Sequence, residues 1–206
     1  MNNPLDDLLK RLIALAETGI YYARNEFDLQ RYNEILDLSV KALSTLFDAH
    51  PDEIAKLVIE KNGYKTPKVD VRAVIFDEQD RILLVKEKID GKWALPGGWA
   101  EIGFSPSEVA VKESLEEAGA RVTPVRLLAV MDKKMHAHPS DIYYIYKIFI
   151  ECSLLGWEKP DELETTEAAF YPVDRLPELS LPRITPEQIQ ALHHQKQHTN
   201  LQPLFD

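Results

Sequence analysis

The hydrophobic period of this chain changes once, near residue 65, and that change limits the folds open to it. Before it, apolar residues recur at helical spacing: Leu5, Leu8, Leu9, Leu12 and Ile13, then Leu36, Val40, Leu43 and Leu46. A third segment begins with Pro51 and an acidic first turn and is expected to stop at Gly63. Residues 1–62 therefore read as a small helical domain of about three helices. Such a unit buries little by itself. The boundary falls in KNGYKTPK, residues 61–68, where Gly63 and Pro67 punctuate the chain.

After the boundary the period is that of strands. VDVRAVIF (69–76), RILLVKE (81–87), RLLAVMD (126–132), IYYIYKIFIEC (142–152) and AAFYPV (168–173) are rich in β-branched and aromatic residues. KIDGKWALPGG reads as a loop. A last helix is expected over 184–195, with Thr185 as N-cap and Pro186 at its first position. Residues 67–205 thus form an α/β domain, a mixed-sheet sandwich with helices packed on it.

One more helix lies between these strands. Ser105-Pro106-Ser107-Glu108 is a capping box with proline at the first helical position, and Gly119 is a C-cap, so the helix runs from Pro106 to Ala118. Val111, Leu115 and Ala118 share one stripe, and Glu113, Glu116 and Glu117 fall on the opposite side. Acidic side chains in a last turn oppose the helix dipole, at about 0.3–1 kcal/mol each. Glu113 and Glu117 also stand one turn apart, with like charges adjacent. A solvated face is the plain reading of such a run. A hard divalent cation would explain it better, because Mg²⁺ is held by a few carboxylates, waters and substrate phosphates. Pro96-Gly97-Gly98 precedes the helix and lets the backbone approach a ligand closely. Such a pocket suits phosphoryl chemistry.

The formal charge is −10, with 34 acidic and 24 basic residues. This disfavours a nucleic-acid partner but leaves a small anionic substrate open through a metal. The single cysteine, Cys152, excludes an intrachain disulfide and reads as a buried small hydrophobe. A reducing, cytoplasmic setting is expected. No apolar run approaches the roughly 20 residues needed to cross a bilayer, and no membrane partner is expected.

Residues 98–120 resemble the Nudix box, G-x5-E-x7-R-E-U-x-E-E-x-G-U, where U is aliphatic. Gly98, Glu113, Glu116, Glu117 and Gly119 match it. Phe104 stands where the pattern has Glu, Lys112 where it has Arg, and Ser114 where it has an aliphatic residue. In the family that Glu and Arg brace the loop against the helix. Here Phe104 would brace by packing, and Lys112 would pair with Glu116. The helical residues 1–62 resemble one branch, whose members hydrolyse nucleoside diphosphates linked to another group, CDP-choline and ADP-ribose pyrophosphatases among them. The resemblance implies Mg²⁺ or Mn²⁺ held by Glu113, Glu116, Glu117 and the Gly97 carbonyl. It implies candidate catalytic carboxylates Glu113, Glu117 and, in the loop DELETTE, Glu164. It also implies a homodimer, with residues 1–62 as dimerisation unit or substrate cover. The alternative is a non-catalytic Nudix-like module that senses a nucleotide.

Other residues are candidates for substrate contact. Arg72 and Lys86 stand within apolar strands and would reach phosphates; the competing reading is a side chain that runs to solvent at a strand edge. Trp99 follows the glycines and is a candidate pocket wall. MDKKMHAHPSD (131–141) is read as a substrate-contacting loop, with His138 its candidate. A soft-metal site at His136 and His138 is the weaker reading, since the remaining donors are oxygens.

Overall fold

A computed structural model describes residues 4–59, 65–161 and 164–206. They fall into two compact units: residues 1–67 with 139–144, and residues 68–138 with 145–206.

In the first unit, α1 (Pro4–Tyr22), α2 (Glu26–Leu46) and α3 (Pro51–Val58) pack around Leu9, Ile13, Ala16, Leu36, Val40, Leu43, Ile54 and Val58. Asn25 caps α2 by accepting from the Asp28 N–H, and His50 caps α3 with Pro51 at its first position. α3 ends at Val58, short of the expected stop; Gly63 lies outside the described residues. Segment 139–144 belongs to this unit. Ile142 packs on its core, and Lys10 Nζ donates to the Asp141 carbonyl at 3.0 Å. Only one face of α1 is covered. Leu5, Leu8, Leu12 and Leu15 remain exposed, Leu8 to 62%.

The second unit is a mixed α/β sandwich. Its strands are β1 (Lys68–Ile75), β2 (Ile82–Glu87), β3 (Trp93–Ala94), β4 (Gly97–Trp99), β5 (Ala120–Asp132), β6 (Ile145–Trp157), β7 (Thr165–Tyr171) and β8 (Leu204–Phe205). One sheet has the order β4-β1-β6-β5-β8, with β1 and β6 parallel; the other is β3-β2-β7. α4 (Pro106–Ala118) crosses between β4 and β5, and α5 (Pro186–Gln197) follows β7.

Strand alternation divides the core between two faces. Val71, Ala73 and Ile75 of β1 join Val109, Ala110 and Ala118 of α4, with Cys152 among them. Burial pushes the Cys152 thiol up to about 12, so it is inert. Val74 joins Phe149, Met131 and the α5 residues Ile189 and Leu192 on the other face. β5 extends well before Arg126, continuing past Pro124 through a register shift. β6 starts at Ile145 rather than Ile142, because the residues before it fold with the helical unit. β3 lies inside the expected loop, and β4 begins at its last two residues, Gly97 and Gly98. No helix among the described residues is long and apolar enough to cross a membrane.

Candidate active site

The site is built where β1, β4 and α4 meet. Gly97 has φ +145°, and a Cβ there would lie 2.8 Å from the Arg72 Cα and run into the Val71 carbonyl. Only glycine lets β4 approach β1 this closely. Three bonds fix the turn. Arg72 Nη1 donates to the Leu95 carbonyl at 2.9 Å, the Ala73 N–H to the Pro96 carbonyl at 2.8 Å, and the Gly97 N–H to Glu117 Oε2 at 2.9 Å. At the far end of α4, Gly119 (φ +67°) donates its N–H to the Leu115 carbonyl.

The helix is bounded as its capping signals predict, but its buried stripe is not the expected one. Val109, Ala110, Ser114, Glu117 and Ala118 are buried, while Val111 and Leu115 are only half-buried. Residues 110, 114 and 118 step by four along the sheet side, and Glu117 falls beside them. The three box carboxylates are therefore not equivalent. Glu117 is 7% exposed, and burial first, then Glu87 and Glu113, pushes its carboxyl up to about 8. Glu113 is half-buried beside Gly98, where a Cβ would sit 3.1 Å from its Oε1; burial raises it too. Glu116 faces Lys112.

Lys112 Nζ lies 3.0 Å from Glu116 and 3.0 Å from Glu101. The expected pairing with Glu116 is present. Phe104, 45% exposed, is not buried against the helix. The brace comes from Glu101, three residues earlier, so the loop and helix are tied by charge after all.

Arg72 is not at a sheet edge. β1 lies between β4 and β6, and Arg72 is 6% exposed. Its Nε donates to Asp70 at 2.9 Å, and the buried Lys147, opposite Asp70 on β6, donates to the other Asp70 oxygen. Burial works against the Asp70 charge, but Arg72 and Lys147 outweigh it and hold the carboxyl below its usual range. Glu87, buried at the end of β2, pairs with Arg183 at 2.8 Å, and burial raises its pKa. Arg183 also donates to Ser180 at 3.0 Å, and Ser180 to Asp90 at 2.7 Å. Asp70, Lys147, Glu87 and Arg183 escaped the sequence reading. The visible signal was Asp70 and Arg72 two apart in a strand, hence on one face.

Glu164 is exposed, just before β7, and its charge acts on both Glu113 and Glu87. Lys86 pairs with Glu167 at 2.7 Å across the β2–β7 ladder. Trp99 is 46% exposed, its ring 5.3 Å from Lys68 Nζ. His138 is buried against the Leu181 carbonyl, and His136 bonds to Asp206 at 3.1 Å. The two histidines have separate partners, which gives a shared soft-metal site no support.

The arrangement fits a hard cation. Glu113 and Glu117 flank the Gly97–Gly98 turn, the donors are oxygens, and the Glu113 charge raises Glu117. Among the described residues no three acidic, histidine or cysteine side chains form a ready cage. A Mg²⁺ or Mn²⁺ ion here would draw its remaining ligands from water and substrate, as such ions commonly do.

Comparison with known proteins decides the family. Residues 66–195 match the NUDIX domain model. The chain belongs to the Nudix family. Residues 3–58 match a second model, the UDP-X-like N-terminal oligomerisation domain. This Nudix chain is 43% identical to YjhB of Bacillus subtilis (strain 168), provisionally called an ADP-ribose pyrophosphatase, over 96% of this chain and 94% of that one. It is similar to the structure of an ADP-ribose pyrophosphatase from Streptococcus suis 89-1591 (41% identity, TM-score 0.62, 68% of this chain and all of that one). It is also similar to the structure of a UDP-X diphosphatase (35% identity, TM-score 0.63, 97% of each chain).

Proposed function

We infer that this Nudix pyrophosphatase cleaves the P–O–P bridge of a nucleoside diphosphate linked to another group, releasing a nucleoside monophosphate and a phosphorylated partner. The observation that carries this reading is the buried Glu117, locked to the Gly97 N–H and repelled by Glu113 and Glu87. Relatives named for ADP-ribose and UDP-X support a substrate among diphosphate-linked compounds; CDP-choline belongs to the same chemical class.

Nudix hydrolases generally use divalent metals. Here Glu113, Glu116, Glu117 and the Gly97 carbonyl would hold the ion, Mg²⁺ or Mn²⁺. When bound, it neutralises phosphate charge and lowers the pKa of a bound water. The chain's own residues do the rest. Arg72, fixed by Asp70, holds the turn that carries Gly97. Lys112 holds Glu116 in place and ties the loop to the helix. Glu164, exposed beside Glu113, is our candidate proton acceptor. Lys86 and Trp99 remain proposed substrate contacts, through phosphate and through the pocket wall.

Residues 1–62 are proposed to form a homodimer through the uncovered leucine face of α1, with residues 67–205 as the hydrolase domain. Their match to an oligomerisation model supports this. The cytosol is the proposed setting.

The test is a hydrolysis panel with Mg²⁺ or Mn²⁺: ADP-ribose, UDP-linked sugars, CDP-choline and nucleoside triphosphates, with products identified. Release of a nucleoside monophosphate from one diphosphate-linked substrate supports the reading. Turnover of triphosphates alone would overturn it.

A further inference from the structure

Glu87 is buried at the end of β2, and its register partner on β7 is Thr165. Residues paired across a ladder present their side chains on one face. On that face the Thr165 hydroxyl donates to the Glu117 carbonyl at 2.7 Å. The Glu87 carboxylate therefore stands by the last turn of α4, where its charge acts on Glu117. Arg183 Nε lies 2.8 Å from Glu87 Oε1. Through this pair, an arginine from the segment before α5 reaches the edge of the candidate active site.

The pair has an inner and an outer member. The Glu87 side chain is 6% exposed and that of Arg183 26%. The arginine also sits on a fixed mount. The Ser180 N–H donates to the Trp93 carbonyl at 2.8 Å and the Trp93 N–H to the Glu178 carbonyl at 3.0 Å, which lays this segment along β3. Arg183 Nη1 donates to the Ser180 hydroxyl at 3.0 Å, and Ser180 donates to Asp90 at 2.7 Å. A guanidinium carries five N–H donors in one plane. Nη2 makes no hydrogen bond among the described residues, so two of these donors are open to a ligand.

The charges nearby narrow the ligand. Glu87 and Glu113 repel Glu117, and Glu164 repels both Glu87 and Glu113. A diphosphate that enters beside these carboxylates needs cationic donors in addition to a metal ion. Two other cations here are committed: Arg72 to Asp70 and the Leu95 carbonyl, Lys112 to Glu101 and Glu116. Arg183 keeps part of its fork open, and a guanidinium matches phosphate oxygens in both charge and direction.

We propose that Arg183 is a substrate-binding residue, its Nη2 donating to a non-bridging phosphate oxygen of the diphosphate while Nε stays on Glu87. This rests on the reading of the chain as a hydrolase of nucleoside diphosphate compounds, and adds a residue that holds the diphosphate.

Calorimetry of methylenediphosphonate binding to the full chain at saturating Mg²⁺ tests this without turnover and without a base. Arg183→Gln weakens binding about tenfold or more. In turnover it raises KM by a similar factor and leaves kcat within about threefold. Arg183→Lys keeps the charge but not the fork, and recovers only part of the loss. A purely structural role predicts a different pattern, because Glu87→Gln breaks the same ion pair. On the proposal, Glu87→Gln binds the diphosphonate at least as tightly as the wild type, and Glu87→Gln combined with Arg183→Gln stays weak. The double variant strands no charge, so it carries the test even where Arg183→Gln alone does not fold; thermal melts establish the folding of each. Wild-type protein that does not bind the diphosphonate overturns the proposal. So does a double variant that regains wild-type affinity, or single variants that weaken binding alike. Binding lost in Arg183→Gln, with no diphosphate-linked compound hydrolysed by the wild type, would sink the hydrolase reading and leave this one standing. Hydrolysis with an unchanged KM in Arg183→Gln would sink this one alone.

Discussion

The helical unit leaves leucines in water, whereas the catalytic unit keeps charges out of it. Leu5, Leu8, Leu12 and Leu15 line an uncovered face of α1. In the other unit Asp70, Arg72, Glu87, Glu117 and Lys147 are all buried. Each arrangement costs stability in the isolated chain, by exposed apolar area in one case and desolvation in the other. The remedies differ in kind. An apolar face is relieved by any surface of matching shape. A buried charge is relieved only by a specific partner. Four of these charged groups already have theirs: Arg72 and Lys147 both bind Asp70, and Glu87 pairs with Arg183. Among the described residues the Glu117 carboxylate accepts only from a backbone N–H, with the Arg72 charge acting on it from nearby. That difference separates framework charges from a charge waiting for a ligand.

The sharpest way to break this distinction is at Glu117. Glu117→Gln should cut kcat by on the order of 10²–10³. It should not lower the melting temperature of the metal-free protein, because it keeps the shape of a carboxyl whose charged form burial already disfavours. A variant that loses activity only by unfolding would place Glu117 in the framework instead. Asp70→Ala should do the opposite: it strands Arg72 and Lys147 and should cost about 3–5 kcal/mol in urea unfolding. On the helical side, Leu8→Glu with Leu12→Glu should convert a dimer to a monomer in light scattering. The α1–α3 core should survive, since neither residue belongs to it. A variant that remains dimeric would put the interface elsewhere.

Local signals were legible in the sequence and long-range ones were not. The bounds of α4 follow from Ser105, Glu108 and Gly119, which act within one turn of where they stand. The box carboxylates carry the family pattern in themselves. Which of them is buried depends on how α4 meets the sheet, and the helix stripe alone misplaced Glu117. Asp70 and Lys147 are 77 residues apart and meet only because β1 and β6 run parallel in that register. Glu87 and Arg183 meet through a loop without periodicity. β3, β4 and β8 have two or three residues each, too few to show an alternation.

His138 offers a test by pH of a neutral buried group. Its folded pKa, about 4, lies below the ordinary 6.5. The unfolded chain therefore binds more protons between these values, and the ring's contribution is present above pH 6.5 and lost as pH falls toward 4. The loss amounts to roughly 3 kcal/mol over that window. Carboxylates titrate there too, so the measurement is the difference in unfolding free energy between the wild type and His138→Asn. The slope should flatten in the variant. Equal slopes would mean that the ring meets solvent.

The smallest effect is expected at Glu101, where the site touches the surface. Its bond to Lys112 is half-exposed, worth under about 1 kcal/mol to stability. Glu101→Gln should leave the melting point nearly unchanged. Its consequence should appear in the metal instead, because Lys112 is shared between Glu101 and Glu116. With the loop end released, Lys112 binds Glu116 alone and competes more strongly for a carboxylate proposed to hold the cation. The Mn²⁺ concentration for half-maximal activity should rise about threefold to tenfold, with kcat at saturating Mn²⁺ close to wild type. Phe104→Glu in the same background restores a loop carboxylate at the position where the box carries one, and should recover part of the loss. A variant whose kcat falls with no change in metal requirement would show that the loop acts on the substrate and not on the carboxylates. The brace would then belong with the framework charges.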